Sequence, residues 1–283
     1  NALRPLLGER LRLFQNSLGR REPPAEWNAI PTVGVRWGYR PWRALVLAGQ
    51  VGRVPLDGRL PQAELYHATE HLLPYLRRIP TVLTVHDLVF ECYPEYHKAW
   101  NYRYLHLAMP LYCQRATAII AISEHTRRDL RTVCPDLPPG KIHVVPLGVD
   151  VPAAETVSAA RVAEVRARHG LVRPYVFYAG SLSPRKNMAR GVCAFANLAP
   201  EFPHDLVVTA GKSWRDGEVE AEVDRCGVRD RFRRLGAVPG GRLAAGRSRG
   251  VVFDPDRAAG AAVDARSGAG AGRRGDCRAV ASA

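Results

Sequence analysis

The chain has 283 residues, an apolar fraction of 46% and a formal net charge of +14. This length accommodates two domains of ordinary size with well-buried cores, and no apolar run approaches the length of a membrane span. The six cysteines include no C-x-x-C pair, which favours reduced cytosolic thiols over a disulfide framework or a zinc site.

The positive charge, carried mostly by arginine, indicates an acidic partner. The candidates are nucleic acid, an anionic membrane surface and a phosphorylated substrate. An arginine-rich composition with no binding role is the alternative. We expect no nucleic acid, because the sequence contains no basic block with interleaved aromatics and no nucleic-acid module signature.

Residues 1–58 are hard to assign. Residues 3–18 have the spacing of an amphipathic helix, and no signal peptide is expected because charges interrupt residues 3–14. Trp27, Trp37 and Trp42, together with several prolines, indicate irregular and partly buried loops. A strand with a glycine-rich turn, which usually opens a nucleotide-binding fold, is not evident. We therefore expect that opening unit to be lost or to lie before Asn1.

From residue 63 onwards, apolar strands alternate with helices. Strands are predicted at residues 64–68, 81–86, 118–123 and 142–146. Helical segments are predicted at residues 69–73, as a short turn, and at 102–115 and 126–133, the last opened by Ser123 or Glu124. Pro110 predicts a kink or a break in the second of these helices. The alternation favours parallel βαβ units with both sheet faces covered.

A second series follows a linker at residues 151–156. Helices are predicted at residues 157–169, 188–198 and 218–226, and strands at residues 175–179, 206–210 and 232–238. Two doubly wound domains joined by a short link are the expected architecture. In such sheets ligands bind at the carboxyl ends of the strands.

Residues 175–187 combine the parts of a phosphate site. A strand stops at Gly180, two cations follow at Arg185 and Lys186, and Asn187 is placed to cap the next helix. Main-chain N–H groups and the helix dipole at such a turn attract an anion, and the cations neutralise it. The alternative is an ordinary strand-to-helix turn with two solvated cations.

Several motifs occur in a fixed order along the chain. They lie at residues 66–69, 84–88, 93–96, 121–130, 142–150 and 180–187. In this order they resemble the retaining glycosyltransferases of family 4, which have the GT-B fold, and most of all the bacterial mannosyltransferase-like members. The resemblance covers about residues 63–245, and its specificity lies in the succession of motifs.

The resemblance implies an α/β protein of GT-B architecture with two Rossmann-like doubly wound domains, the second incomplete. Residues 1–150 would form the N-terminal, acceptor-side domain, expected to lack its first strand, and residues 151–245 part of the C-terminal nucleotide-sugar domain. Residues 246–283 would be an aberrant tail.

The implied reaction belongs to polysaccharide biosynthesis. A sugar, mannose among the candidates, moves from a nucleotide diphospho-sugar to a glycan or lipid-linked acceptor with retention of configuration. No cofactor and no metal are expected. The implied location is cytoplasmic, with peripheral contact to an anionic membrane at its inner face.

The resemblance also implies roles for individual residues of the turn. Lys186 matches the family lysine that holds the donor diphosphate, and Gly180 matches the glycine that lets the main chain approach it. Arg185 is the usual neighbour of that lysine. Ser181 stands where some members carry an arginine, so that charge must come from elsewhere.

In the first domain, His86 matches the family histidine at a strand end that faces the transferred sugar. Its imidazole could donate a hydrogen bond to a sugar hydroxyl, and Asp87 could orient it; a purely structural pair is the alternative. His67, with Ser123, is a candidate for the acceptor side. His71 could line the same side, and for His67 and His71 packing is an equal alternative.

The resemblance stops near Ala245. The family continues with a loop Glu-Gly-x-Gly-Leu-Pro-x-Leu-Glu-Ala, whose last Glu commonly binds the ribose, and residues 246–283 do not carry it in frame. They are rich in Gly, Ala and Arg and resemble a disordered tail. Reading residues 261–267 one base late permits Leu-Pro-Leu-Met-Leu-Glu-Ala, with one residue too many after Pro. We hypothesise a frameshift near Ala245, which the gene's nucleotides would settle.

Three functional alternatives stay open at this point. The first is an active glycosyltransferase. The second is an inactive, truncated remnant without a complete donor site. The third is a basic nucleic-acid-binding protein, which rests on charge alone.

Overall fold

The computed structural model describes residues 3–16, 29–148, 158–211 and 215–236, and the main chain of Val251–Val252. The chain divides into two compact units, Asn1–Val149 and Asp150–Ala283. Each unit contains a four-stranded sheet whose strands are all parallel. No helix within the described ranges is long and apolar enough to cross a bilayer.

The first unit contains six strands and five α-helices within its described residues. The strands are β1 (Leu13–Asn16), β2 (Thr32–Val35), β3 (Tyr66–Ala68), β4 (Thr81–Val85), β5 (Ala118–Ala121) and β6 (Ile142–Val144). The helices are α1 (Arg4–Leu7), α2 (Tyr39–Gly52), α3 (Val89–Cys92), α4 (Ala99–Arg115) and α5 (Glu124–Val133).

The main sheet of this unit has the order β3-β4-β5-β6. Its central strands are short apolar runs, as expected for strands covered on both faces. Leu83, Val85, Ile119 and Ala121 are fully buried, and the core extends to Tyr112 in α4.

The opening segment differs from the sequence prediction. Residues 3–16 form a short helix and the strand β1 instead of one amphipathic helix, and β1 pairs in parallel with β2. The Phe14 ring packs 5.9 Å from the Trp42 ring and 6.0 Å from the Tyr66 ring. A Cβ on Gly34 would lie 2.6 Å from the Gln15 carbonyl oxygen, so this pairing needs glycine. Long-range burial therefore outweighs local helix spacing here.

The prediction that the tryptophans lie in irregular loops is wrong for Trp42, which lies in helix α2 and is 4% exposed. Trp37 is exposed in the segment before α2, and Trp27 lies outside the described residues. Residues 69–73 form bends and irregular chain instead of the predicted helical turn, since Pro74 disfavours helical geometry in the residue before it. Helix α4 continues through Pro110, so the predicted break is absent, and a kink there stays a prediction. Met109 and Tyr112, on either side of Pro110, are fully buried.

The second unit has the sheet order β10-β7-β8-β9. Its strands are β7 (Tyr175–Ala179), β8 (Asp205–Thr209), β9 (Phe232–Arg234) and β10 (Val251–Val252). Its helices are α6 (Ala159–Arg168), α7 (Met188–Leu198) and α8 (Gly217–Arg225). Val251 and Val252 pair in parallel with Val176 and Phe177, although they fall in the predicted tail. The rest of that tail lies outside the described residues.

Gln50 provides a test of how the first core is held together. Its side chain is fully buried, and its Nε2 donates to the Leu73 carbonyl oxygen at 2.8 Å. In Gln50→Glu this donor is lost and a carboxylate is buried, so the free energy of unfolding should fall by at least about 2 kcal/mol near neutral pH. The exposed Gln114→Glu is the control and should change it by less than about 0.5 kcal/mol.

The sign of the pH dependence follows from burial, which raises a carboxyl pKa in the folded state. The destabilisation should therefore be largest above the raised pKa of the folded state, and it should shrink as the pH falls from about 8 towards about 5, nearer the ordinary Glu pKa of about 4.3. Denaturant unfolding of both variants measures this difference. Equal stability of Gln50→Glu and Gln114→Glu would contradict it.

Candidate active site

His86 lies directly after β4, at the carboxyl end of the first sheet. Its Nε2 donates to the carbonyl oxygen of Thr69, which follows β3, at 2.9 Å. Because a carbonyl only accepts, Nε2 carries the proton, and Nδ1 of the neutral ring is an acceptor. In this tautomer Nδ1 is an acceptor, whereas the sequence prediction was a donor towards a sugar hydroxyl, and the role of His86 towards a sugar stays a prediction.

The main chain of His86 is held by the start of helix α5. Thr126 Oγ1 donates to the His86 carbonyl oxygen at 3.1 Å, and its own oxygen lies 3.0 Å from Ser123 Oγ. Since Thr126 has one hydroxyl proton, Ser123 must donate to Thr126. Ser123 Oγ also accepts the Thr126 N–H at 3.1 Å and so caps the helix. The hydroxyl of Ser123 is thus occupied in positioning His86, and its role towards an acceptor stays a prediction.

Asp87 bonds to the chain that follows it. Its Oδ1 accepts the N–H of Val89, the first residue of α3, at 3.2 Å. Among the described contacts no hydrogen bond joins Asp87 to His86, so the Thr69 carbonyl is what orients the imidazole. The sequence could not indicate this, because the partner is a main-chain oxygen.

A second histidine lies against His86. The His71 ring is 6.4 Å from the His86 ring and 6.0 Å from the Phe90 ring, both edge-on, and its Nε2 is buried without a hydrogen-bond partner among the described atoms. Burial lowers the pKa of His71, and the charge of Asp87 partly opposes this shift. His71 therefore adds a neutral ring next to His86 at neutral pH.

His67 is bound within the sheet. Its Nε2 lies 2.8 Å from Thr84 Oγ1, and this contact links β3 to β4 one residue before the strand ends. Burial lowers the pKa of His67, which keeps the ring neutral. This contact gives His67 a structural role within the sheet, in line with the packing alternative. The acceptor-side role of His67 stays a prediction.

In the second unit, β7 ends at a turn shaped by Tyr178. A Cβ on Gly180 would lie 2.9 Å from the Tyr178 hydroxyl oxygen and 3.1 Å from its Cζ. That hydroxyl donates to the Ser181 carbonyl oxygen at 3.0 Å, and Ser181 Oγ lies 3.2 Å from Ser183 Oγ. A side chain at position 180 would therefore crowd the Tyr178 ring, which gives Gly180 a packing role in addition to its predicted role at this turn.

Helix α7 begins directly after the two cations. Pro184–Lys186 form one 3-10 turn, and Asn187 has φ 51°, which is left-handed. Asn187 stands at the predicted N-cap position, but its side chain makes no capping bond. The Asn187 side chain thus does not cap the first N–H groups of α7, and N–H groups at the start of a helix attract anions.

Arg185 is exposed and Lys186 is half-buried. Within the described ranges, no carboxylate forms an ion pair with either of them. Other arginines of this unit are paired with acids at short distance: Arg161, Arg168, Arg215, Arg225, Arg229 and Arg234. The turn therefore concentrates uncompensated positive charge at the carboxyl end of β7.

The sequence profile described as Glycosyltransferase Family 4 matches residues 8–152. This chain belongs to glycosyltransferase family 4. The match includes β1–β6 and the surroundings of His86, so it begins well before the motifs that first indicated the family.

Two curated relatives of this family 4 chain are alpha-maltose-1-phosphate synthases. The one from Mycolicibacterium smegmatis is 30% identical over 144 residues, which is 50% of this chain and 37% of the relative. The one from Mycobacterium tuberculosis H37Rv is 30% identical over 146 residues, with the same shares. The match thus spans little more than a third of the length of these relatives.

Two solved structures have the same fold. Anabaena Alr3699/HepE, in complex with UDP and glucose, superposes with a TM-score of 0.60 at 17% identity, covering 86% of this chain and 65% of that one. WaaG, a glycosyltransferase involved in lipopolysaccharide biosynthesis, gives 0.62 at 17% identity, covering 90% and 68%. The GT-B fold class predicted from the sequence is confirmed.

Thr126→Val should show whether the α5 start positions His86. This variant keeps the side-chain shape but leaves the His86 carbonyl and the Ser123 hydroxyl without their partner, so stability should fall by about 1–3 kcal/mol. Thr132→Val is the control on the same helix, since Thr132 is exposed and its hydroxyl donates to the Arg128 carbonyl oxygen; it should cost less than about 0.5 kcal/mol.

Denaturant unfolding gives the two stabilities, and the imidazole NMR shifts of His86 report its tautomer and surroundings. These shifts should move in Thr126→Val only. Identical stabilities and unmoved His86 signals in both variants would refute the positioning role of Thr126.

Proposed function

We propose that this chain transfers a sugar from a nucleotide diphospho-sugar to a glycan or lipid-linked acceptor, with retention of configuration. Mannose is the proposed sugar, by the motif resemblance. The turn between β7 and α7 carries the proposal, because Arg185, Lys186 and the uncapped start of α7 form a site for a diphosphate. The HepE structures, which hold UDP or UDP-glucose, support a donor of this chemical class.

The chemistry of the turn suits a leaving diphosphate. Negative charge builds on the diphosphate as the bond to the sugar breaks, so fixed cations and N–H groups stabilise the transition state more than the ground state. Arg185 and Lys186 supply this charge without a metal, and the main chain at Gly180 and Ser181 would lie beside the phosphates. We therefore propose a reaction without metal or cofactor.

His86 suits the sugar itself. Its free Nδ1 accepts a hydrogen bond from a hydroxyl, and the fixed Nε2 bond to Thr69 holds the ring in one orientation. His67, Asp87 and Ser123 line or support this edge, with the acceptor expected on the same side.

A remnant that binds a donor without transferring its sugar is the second candidate. It is favoured by one observation: residues 246–283 do not carry the acidic loop whose last Glu commonly binds the ribose. Donor binding and nucleotide release must therefore be measured separately. Donor binding without nucleotide release by this chain would support the interpretation as an inactive remnant.

Lys186→Ala tests the diphosphate site. Loss of a charge-assisted contact costs about 1.5–3 kcal/mol, so the affinity for UDP or GDP should fall about tenfold or more in calorimetric titrations. Arg168→Ala removes one positive charge from the same unit, where Arg168 pairs with Glu164, and should leave the affinity unchanged. An unaltered affinity in Lys186→Ala, or an equal loss in both variants, would overturn the assignment.

Two substitutions of His86 separate its two nitrogens. In His86→Gln the amide can reach the Thr69 carbonyl as Nε2 does, but no atom replaces Nδ1. In His86→Asn the amide stands near the Nδ1 position and the Thr69 bond is lost. Nucleotide release from a panel of UDP- and GDP-sugars should fall about tenfold or more in His86→Gln and less in His86→Asn, with UDP affinity nearly kept in both. The reverse order would refute a role for Nδ1.

We further propose that the first unit contacts an anionic membrane through one face of α2 and α4. This aromatic–cationic face is formed by Tyr39 and Arg40 at the start of α2 and by Trp100 at the start of α4. Further exposed residues of the same kinds lie close by in the chain: Arg36, Trp37, Lys98 and Arg103. Tyr39 is 56% and Trp100 42% exposed, and the Arg40 guanidinium lies 5.2 Å from the Trp100 ring. Exposed aromatics with basic neighbours are typical of side chains that enter the lipid headgroup region.

Arg43 adds to the charge behind this face. It is 4% exposed, lies 3.7 Å from the Tyr104 ring centre and donates to Asn101 Oδ1 at 2.8 Å. No carboxylate pairs with it in the part of the chain that the structure describes. Its charge is therefore held under the surface by aromatic rings and an amide, and it strengthens attraction to an anionic layer.

Vesicle binding tests this surface. Arg40→Ser should weaken partition onto phosphatidylglycerol-containing vesicles about fivefold, since one cation near such a surface contributes about 1 kcal/mol. Trp100→Ser should weaken it as well, and added salt should lower wild-type binding. Phe202→Ser removes an aromatic of the second unit that is 50% exposed and should have no effect. Equal binding by all of these variants would contradict the proposed face.

A further inference from the structure

Helices α7 and α8 bring three metal-ligand side chains together. Cys193 lies on α7, Glu222 on α8 and Cys226 immediately after α8. The two sulphurs and a carboxylate oxygen of Glu222 all lie within 4.8 Å of one another, and all three residues are half-buried. This cluster plays no part in the proposed sugar transfer.

The packing of the two helices creates the cluster. Glu222 and Cys226 are four residues apart and so share one side of α8. Val192 and Phe195 of α7 pack with Val219 and Val223 of α8 in one core, which places Cys193 opposite that side. Because two of the ligands come from the α8 segment and the third from α7, the cysteine spacing in the sequence gives no sign of the cluster.

The existing contacts converge on the carboxylate. Cys193 Sγ is hydrogen-bonded to Glu222 Oε1, and Cys226 Sγ lies 3.7 Å from the same oxygen. Arg225 donates through Nε to Glu222 Oε2 at 2.9 Å, and its Nη2 lies 3.5 Å from Cys193 Sγ. The carboxylate is thus oriented by the guanidinium, as the ligands of metal sites commonly are by an outer partner.

The charges would balance around a divalent cation. Two thiolates and one carboxylate carry three negative charges, and the ion together with Arg225 carries three positive charges. Two sulphur ligands and one oxygen ligand suit a borderline-soft ion with tetrahedral geometry. The half-burial of the cluster leaves room for water as the fourth ligand.

We propose that Cys193, Glu222 and Cys226 bind a divalent metal ion of the zinc class. Binding forms two metal–sulphur bonds and one metal–oxygen bond, and the two thiol protons pass to the solvent. The ion ties α7 to α8 and so steadies the helix that follows Arg185 and Lys186. The absence of a C-x-x-C pair in the sequence had argued against a zinc site. The ligands of this cluster are not close in the sequence and come together only through the packing of α7 and α8.

Cobalt spectroscopy of the full chain tests the proposal. Titration of the reduced, metal-free protein with Co²⁺ should give a thiolate-to-cobalt charge-transfer band and the visible bands of a tetrahedral site at one equivalent, and Zn²⁺ should displace both. Zn²⁺ should also raise the thermal unfolding temperature. Absence of the charge-transfer band, or octahedral bands alone, would overturn the proposal.

Variants locate the site. Cys193→Ser and Cys226→Ser should each abolish the charge-transfer band or reduce its intensity to about half. The double variant should show no charge-transfer band. Cys92→Ser, an exposed cysteine of the first unit, should leave it intact. Arg225→Met should weaken the affinity about tenfold by freeing the carboxylate. A band that survives in the double variant would overturn the proposal. Circular dichroism confirms that each variant is folded.

Discussion

Parallel strand pairing is the constraint on which both sites depend. It places the carboxyl ends of neighbouring strands at one edge, so residues that follow different strands become neighbours. In the first unit this brings the Thr69 carbonyl, after β3, to the His86 ring, after β4. The start of α5, after β5, then binds the His86 carbonyl through Thr126. Three successive strand ends thus fix one imidazole.

In the second unit, the edge at the carboxyl ends of the strands carries cationic side chains instead of an imidazole. The 3-10 turn places Arg185 and Lys186 directly before the uncapped start of α7. An isolated pair of adjacent cations repels itself, and no acid of the described residues relieves it. An anion at this turn would do so, which supports the proposed diphosphate site.

The sequence predicted some elements to the residue and missed others for physical reasons. Strand β7 and helix α7 have the predicted bounds, because a β-branched and aromatic run stops at Gly180 and an apolar period follows Asn187. Strand β1 was missed because its stability comes from pairing with β2 and from the contact of Phe14 with Trp42, which are distant in the chain. Contacts between residues so far apart in the chain cannot be predicted from local sequence patterns.

The candidate site was predictable only in part, for a similar reason. His86 and Lys186 could be singled out because residues that follow strands can be identified from motifs, and their roles stay predictions. The Thr69 carbonyl has no side-chain signature, and the cluster of Cys193, Glu222 and Cys226 exists only where two helices meet. Family membership supplied the reaction class, while geometry supplied the direction of the His86 hydrogen bonds.

A crystal structure of this chain with bound UDP would test the central claim most directly. The account predicts that the two phosphates lie at the β7–α7 turn, within hydrogen-bonding distance of Lys186 Nζ and of the first main-chain N–H groups of α7. A diphosphate bound elsewhere, with Arg185 and Lys186 left in solvent, would contradict the account.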